Sequence, residues 1–185
     1  MIPITPQRVV FFGVTGSGKT TAAERYAAAT GLPLTSVDSD IGWLPGWAER
    51  DPAEQLRMVE EIASRDAWVL DSFYRKWSDH LIPRVEVIVA LDYPRWLSLS
   101  RLVRRTLRRM VLREEVCNGN TESFRRVIAH DSIIRWHFTS FASKRRRIRE
   151  YQDAGLPVLR FTRPRDLERW LRSYETPVAE DGVGS

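Results

Sequence analysis

Apolar residues fall into short runs separated by longer stretches where they recur every three or four positions, an alternation of strand and amphipathic helix. Residues 8–12 (RVVFF) are β-branched and aromatic and stop at Gly13, which predicts a buried strand. Residues 20–30 (TTAAERYAAAT) are alanine-rich with one apolar face and are closed by Gly31 and Pro33, which predicts a helix. Residues 34–37 form a second short strand candidate. Asp51 before Pro52 reads as a helix N-cap followed by proline at the first helical position, with Leu56, Val59, Ile62 and Ala63 at helical spacing behind it. Residues 67–70 (AWVL) and 85–91 (VEVIVAL) predict a third and a fourth strand. Pro94 opens an arginine-rich helix to about Arg113. Residues 117–121 (CNGNT) read as a turn, and a second long helix starts at Thr121 and Glu122 and runs to about Asp153. Gly155 and Pro157 break it before a fifth strand over residues 158–161 and a final helix over residues 164–174. The stretch from Thr176 predicts a disordered tail. Such alternation, with nearly continuous apolar strands, implies an α/β fold. Its parallel sheet of five strands is covered by helices on both faces, a three-layer sandwich in one domain over residues 1–175.

Composition sharpens this picture in one respect. A chain of 185 residues with 43% apolar and 29% charged positions is ordinary for one globular domain and excludes wholesale disorder. The use of 26 arginines against 3 lysines is not ordinary. Between Arg95 and Arg149 there are 15 basic and 4 acidic residues, a local charge of +11, while the rest of the chain sums to −6. That block should meet an anion: a nucleotide, free phosphates or nucleic acid. The single cysteine, Cys117, excludes an internal disulfide framework and a cysteine-rich zinc site. The opening residues lack the charged start and long apolar run of a signal peptide, and no apolar stretch approaches the roughly 18 residues that span a bilayer. The expectation is a soluble cytoplasmic protein.

Residues 13–20 (GVTGSGKT) fit G-x-x-x-x-G-K-[ST] directly after a strand and at the opening of a helix, the context this phosphate-binding loop requires. Its glycines let backbone N–H groups curl around an anion, and the helix N-terminus adds partial positive charge. Gly13, Thr15, Gly16, Ser17, Gly18, Lys19, Thr20 and Thr21 are therefore candidate nucleoside-triphosphate contacts. Lys19 would reach the β- and γ-phosphates and the Thr20 hydroxyl would bind Mg²⁺. The glycine order G-x-x-G-x-G excludes a dinucleotide-binding fingerprint.

Several separated stretches then resemble the adenylate-kinase-like branch of P-loop kinases, in particular the small bacterial group called topology modulation proteins. They are residues 43–47 (WLPGW) after an acidic segment with Asp38 and Asp40; residues 68–75 (WVLDSFYR); residues 91–95 (LDYPR) followed by Arg101, Arg104 and Arg105; and residues 156–161 (LPVLRF) before a Pro-Arg-Asp helix start. The resemblance implies a P-loop NTPase sandwich of strand order 2-3-1-4-5, with an acceptor-binding segment near residues 38–66 and a short helical lid near residues 104–130. It implies an ATP- and Mg²⁺-dependent kinase that passes the γ-phosphoryl group to a small acceptor, with a nucleoside monophosphate as one candidate. The stretch between Arg113 and Thr121 is too short for the large lid of long adenylate kinases, so their activity is not implied. Ser72-Phe73 stands where the group has Gly-Asn.

Roles follow for individual residues. Asp71, at the end of the third strand, would hold Mg²⁺ or its water and border the acceptor. Asp38 or Asp40 would face the acceptor and orient or deprotonate its hydroxyl. Arg75 matches the group's arginine that grips an acceptor phosphate or carboxylate with a planar fork. Arg101 and Arg105 lie four apart on one helical face, as do Arg104 and Arg108, and like charges so stacked repel unless an anion bridges them. Arg101 and Arg105 are the first candidates to bridge a triphosphate. Residues 144–149 (KRRRIR) would either add a lid cation or complement the end of their helix. Trp43 and Trp47 would stack on an acceptor ring or anchor its segment. Arg163, with Pro164, sits where related kinases touch adenine. His130 and His137 share a helical face without a third ligand at suitable spacing, and no nucleophile elbow is present. The competing expectation is a nucleic-acid-associated or regulatory P-loop NTPase that uses the +11 block as its contact surface.

Overall fold

The computed structural model describes residues 5–112, 115–116, 120–121 and 133–175. Along the chain come β1 (Arg8–Gly13), α1 (Lys19–Thr30), β2 (Leu34–Thr35), β3 (Trp43–Leu44), β4 (Ala48–Glu49), α2 (Pro52–Ser64), β5 (Trp68–Leu70) and α3 (Ser78–Leu81). They are followed by β6 (Val87–Leu91), α4 (Arg95–Leu112), β7 (Glu115–Val116), β8 (Asn120–Thr121), α5 (Ile133–Asp153), β9 (Val158–Phe161) and α6 (Pro164–Glu175). Five parallel strands form one sheet in the spatial order β2-β5-β1-β6-β9. Counted along the chain, these five sheet strands have the expected order 2-3-1-4-5. Two small antiparallel pairs, β3 with β4 and β7 with β8, stand apart from it.

The sheet is buried on both faces because its strands are apolar at successive positions, and a strand sends successive side chains to opposite sides. Val10 and Phe12 of β1 join Leu70, Ile88 and Ala90 in one core, completed by Trp68, Trp77, Val59 and Ile148. Val9 and Phe11 join Val69, Val89 and Leu91 in the other, completed by Ala23, Tyr26, Leu167 and Leu171. The Trp170 ring of α6 stacks on Tyr26 of α1 at 5.2 Å. Each such large side chain, fully buried, contributes about 1.5–3 kcal/mol. Asp51 caps α2 as its position predicts, its carboxylate accepting from the N–H groups of Ala53 and Glu54.

Some boundaries differ from expectation. β2 ends at Thr35, because residues Val37–Gly42 form a wide helical turn rather than more strand. β5 and β6 start one and two residues later than their apolar runs. Thr121 belongs to β8, residues 122–132 lie outside the described residues, and the long helix is described from Ile133. Cys117, the turn around it, His130 and the tail from Thr176 lie outside the described residues. Among the described residues no helix is long and apolar enough to cross a membrane.

A parallel sheet brings the carboxyl ends of all its strands to one edge. The segments after β1, β2, β5, β6 and β9 therefore meet there, where ligands of open α/β sheets bind.

Candidate functional site

The loop after β1 returns on itself through three glycines with positive φ, Gly13 (155°), Gly16 (83°) and Gly18 (95°). Gly16 needs its missing side chain twice over. Its φ is left-handed, and a Cβ there would strike the Ser98 carbonyl oxygen and the Leu102 side chain of α4. α1 begins at Lys19 with Gly18 as N-cap and no side-chain cap, so the protein supplies no side-chain partner to its first N–H groups. The Ser17 hydroxyl is buried without a hydrogen-bond partner. Lys19 turns back and donates from Nζ to the Val14 carbonyl at 3.1 Å. Burial pushes its pKa down, the nearby Asp38 and Asp71 carboxylates oppose this, and Arg105 adds to it.

Asp71, one residue past β5, is buried. Its Oδ2 accepts from Thr20 Oγ1 at 2.8 Å and from Ser36 Oγ at 3.4 Å, and its Oδ1 accepts from the Val37 N–H at 2.9 Å. Burial nonetheless raises its pKa, against the Val37 and Thr20 hydrogen bonds. A hydroxyl that donates keeps its oxygen lone pairs. Thr20 and Asp71 thus present hard oxygen donors of the kind magnesium prefers, beside the glycine-rich loop.

The two aspartates after β2 separate cleanly. Asp40 turns inward on its own loop and accepts from the Ser36 N–H at 2.8 Å. Asp38 lies close enough to Lys19 to raise its pKa, and its Oδ1 accepts from the Tyr74 hydroxyl at 2.5 Å. Tyr74 stacks against the buried Trp77 ring, 4.6 Å between centroids. Trp43 and Trp47 meet edge to face at 5.9 Å across the β3–β4 turn, where Gly46 and Trp47 both take positive φ. Arg75 is exposed on a short 3-10 turn, Arg75–Trp77.

From α4, Arg101 donates to the Ser17 carbonyl at 3.3 Å and lies over the Tyr93 ring. Arg105, half-buried one turn later, approaches Lys19, whereas Arg104 and Arg108 are exposed. A cleft of 320 Å³ runs from Ser17, Gly18 and Thr21 past Arg101 and Tyr93 to Pro164. Arg163 is exposed beside it, and Thr15 and Gly13 complete the loop. A larger hollow of 510 Å³ follows α6 from Pro164 to Arg172 and carries no residue of the phosphate loop.

α5 closes the site along a buried row that pattern reading did not single out. His137 is fully buried and its Nε2 lies 2.9 Å from Ser98 Oγ. The Ser98 hydrogen is spent on the Arg95 carbonyl, so Nε2 donates and Nδ1 is left buried without a partner. Burial, then the Arg95 charge, holds the His137 pKa below its usual value. Asp92, buried at the end of β6, receives Arg160 of β9 on Oδ2. The Arg145 Nε of α5 stands 2.7 Å from Asp92 Oδ1 but off the line of a hydrogen bond, so the pair is held by charge alone. This clamp sets α5 over the sheet and brings Lys144 against Phe12, Nζ 4.5 Å from the ring centroid.

No protein-family model matches the sequence, and no curated protein is similar to it in sequence. Solved structures do share its architecture. A gluconokinase from Sinorhizobium meliloti 1021 superposes with a TM-score of 0.53 at 18% identity, covering 92% of this chain and 90% of that one. A shikimate kinase from Acinetobacter baumannii in complex with shikimate gives 0.57 at 16%, covering 90% and 89%. A deoxyadenosine kinase from M. mycoides with bound dCTP gives 0.50 at 7%, covering 90% and 97%. At these identities the likeness defines the fold, which is that of P-loop kinases.

Proposed function

We propose that the protein is an ATP-dependent kinase that transfers the γ-phosphoryl group to a hydroxyl of a small molecule. The observation that carries this reading is the placement of Asp38, a carboxylate held by the Tyr74 hydroxyl and close enough to Lys19 to act on its charge. A phosphate acceptor needs cations around it, whereas a hydroxyl acceptor needs a base.

In this reading the loop N–H groups and Lys19 bind the triphosphate, and Arg101 flanks the nucleotide where the cleft runs toward Pro164 and Arg163. Thr20 and Asp71 would hold Mg²⁺, which when bound neutralises charge on the β- and γ-phosphates. Asp38 takes the proton of the acceptor hydroxyl as its oxygen bonds to the γ-phosphorus. The bond from that phosphorus to the β–γ bridging oxygen breaks, and ADP leaves. Arg105 and Lys19 stabilise the charge on the moving group. Asp40 holds the loop that carries Asp38. Trp43, Trp47 and Arg75 flank the acceptor, with Arg75 available to an acidic group on it. The lid expected over residues 104–130 lies in part outside the described residues.

The test is a panel of hydroxyl acceptors and nucleoside monophosphates incubated with γ-labelled ATP, scored for labelled product other than free phosphate. Sugars, polyols, hydroxy acids and nucleosides make up the hydroxyl arm. Labelled hydroxyl product that disappears in a folded Lys19→Ala variant supports the proposal. Hydrolysis alone, accelerated by DNA or RNA, would instead favour an NTPase working on the basic face of α4 and α5.

A further inference from the structure

α5 buries one row of side chains, His137, Phe141, Lys144, Ile148 and Tyr151, spaced alternately four and three residues apart. His137, Phe141 and Ile148 are buried, and Tyr151 packs on the core with Phe12. Lys144 is the one member of this row that bears a full positive charge. An ammonium in such a row costs stability unless something compensates it. Among the described residues Lys144 makes no hydrogen bond and no ion pair; its Nζ lies over the face of the Phe12 ring. Facing it are Lys19 of α1 and Arg147 of its own helix, both repulsive, and Asp38 from the segment after β2. Burial and the two cations push its pKa down to about 8. Lys19 has Arg105 as a further repulsive neighbour. Lys144 of α5 thus neighbours Lys19 of α1, and Lys19 in turn neighbours Arg105 of α4, a run of like charges that a polyphosphate would neutralise.

We propose that Lys144 is a second phosphate-binding lysine, which reaches from α5 to the γ-phosphoryl group between Lys19 and Asp38. The inference rests on the kinase reading and adds a catalytic residue to it. Lys144 exchanges no bonds in the reaction. It binds the transferring group, and the arriving anion keeps its ammonium charged.

The experiment uses the full chain as wild type, Lys144→Met and Lys144→Arg, with thermal melts and calorimetric titration of MgATP and MgADP at pH 7 and pH 9.5. Methionine completes the apolar row, so Lys144→Met should melt no lower than wild type, and a merely structural lysine would give the opposite. At pH 7 it should bind ATP about tenfold or more weakly, the worth of a charge-assisted contact, while ADP affinity changes less than threefold. Wild-type ATP affinity should fall between pH 7 and pH 9.5 as Lys144 loses its proton, more steeply than that of Lys144→Arg. Lys144→Met that binds ATP as wild type does, or that loses ADP equally, overturns the role of Lys144 and leaves the kinase reading standing. Wild type that takes up no MgATP overturns both.

Discussion

The phosphate-loop side of the cleft is knitted into the sheet, whereas the segment opposite it is made of short turns. Residues 13–21 sit between a central strand and a twelve-residue helix, against α4, with Thr20 tied to the buried Asp71. Residues 37–49 are a wide helical turn and a two-residue hairpin, and their charged groups are exposed. On the first side position is dictated by sterics: a Cβ on Gly16 has nowhere to go. On the second, Val37 and Ile41 anchor the turn in the core, but a Cβ on Gly46 meets nothing within 4 Å, and hydrogen bonds such as Tyr74 to Asp38 position the exposed carboxylates. In the kinase reading, the loop that would bind the triphosphate is held by packing, and the exposed carboxylates that would face an acceptor are held by a few polar contacts.

Substitutions that separate the two aspartates of the turn give the largest effect. Asp38→Asn should lower kcat about 10²- to 10⁴-fold, the usual contribution of a positioned base, with the fold unchanged. Asp40→Asn keeps an oxygen that can accept from the Ser36 N–H and should stay within a few-fold of wild type. Steady-state transfer assays decide between them, and equal losses would break the distinction between base and loop support.

Next comes the contrast in glycines. Gly16→Ala combines a left-handed φ with overlap on α4 and should cost about 2–5 kcal/mol by urea unfolding. Gly46→Ala meets only the backbone penalty, about 1 kcal/mol. A Gly16→Ala variant as stable as Gly46→Ala would show that α4 can yield, and the packing argument would fail with it.

The smallest effect concerns the α4–α5 contact. His137 has a folded pKa below its ordinary value of 6.5, so just below pH 6.5 the unfolded chain binds a proton that the folded chain refuses. Stability should therefore fall as pH drops from 6.5 toward the folded pKa and level off beneath it. Melting curves should show wild type losing roughly 2–4 °C more than His137→Gln between pH 7 and pH 5.5. Parallel curves would remove His137 as the cause.

Strand and helix order was legible in the sequence, since buried strands and amphipathic helices impose their own periods of apolar residues. The phosphate loop was legible too, because its glycines, lysine and threonine are fixed by local geometry: positive φ, a tight return and a helix start. Val37 reads from the sequence as the end of a strand although it opens the turn at residues 37–42, because a single apolar residue satisfies both local structures. The choice between Asp38 and Asp40 stayed open for a related reason. Two exposed carboxylates two residues apart carry the same local signal, and only Tyr74, 36 residues away, separates them. Lys144 stood in a basic run where charge alone made it one of many. Its place in the row from His137 to Tyr151 was written in the spacing, but that the row faces Phe12 and Lys19 depends on the Asp92 clamp between β6, β9 and α5. Local periodicity and loop sterics act over a few residues, so the sequence determined the elements and the phosphate loop. Charges and hydroxyls acquire their roles from partners distant in the chain, so tertiary structure alone decided which of them meet.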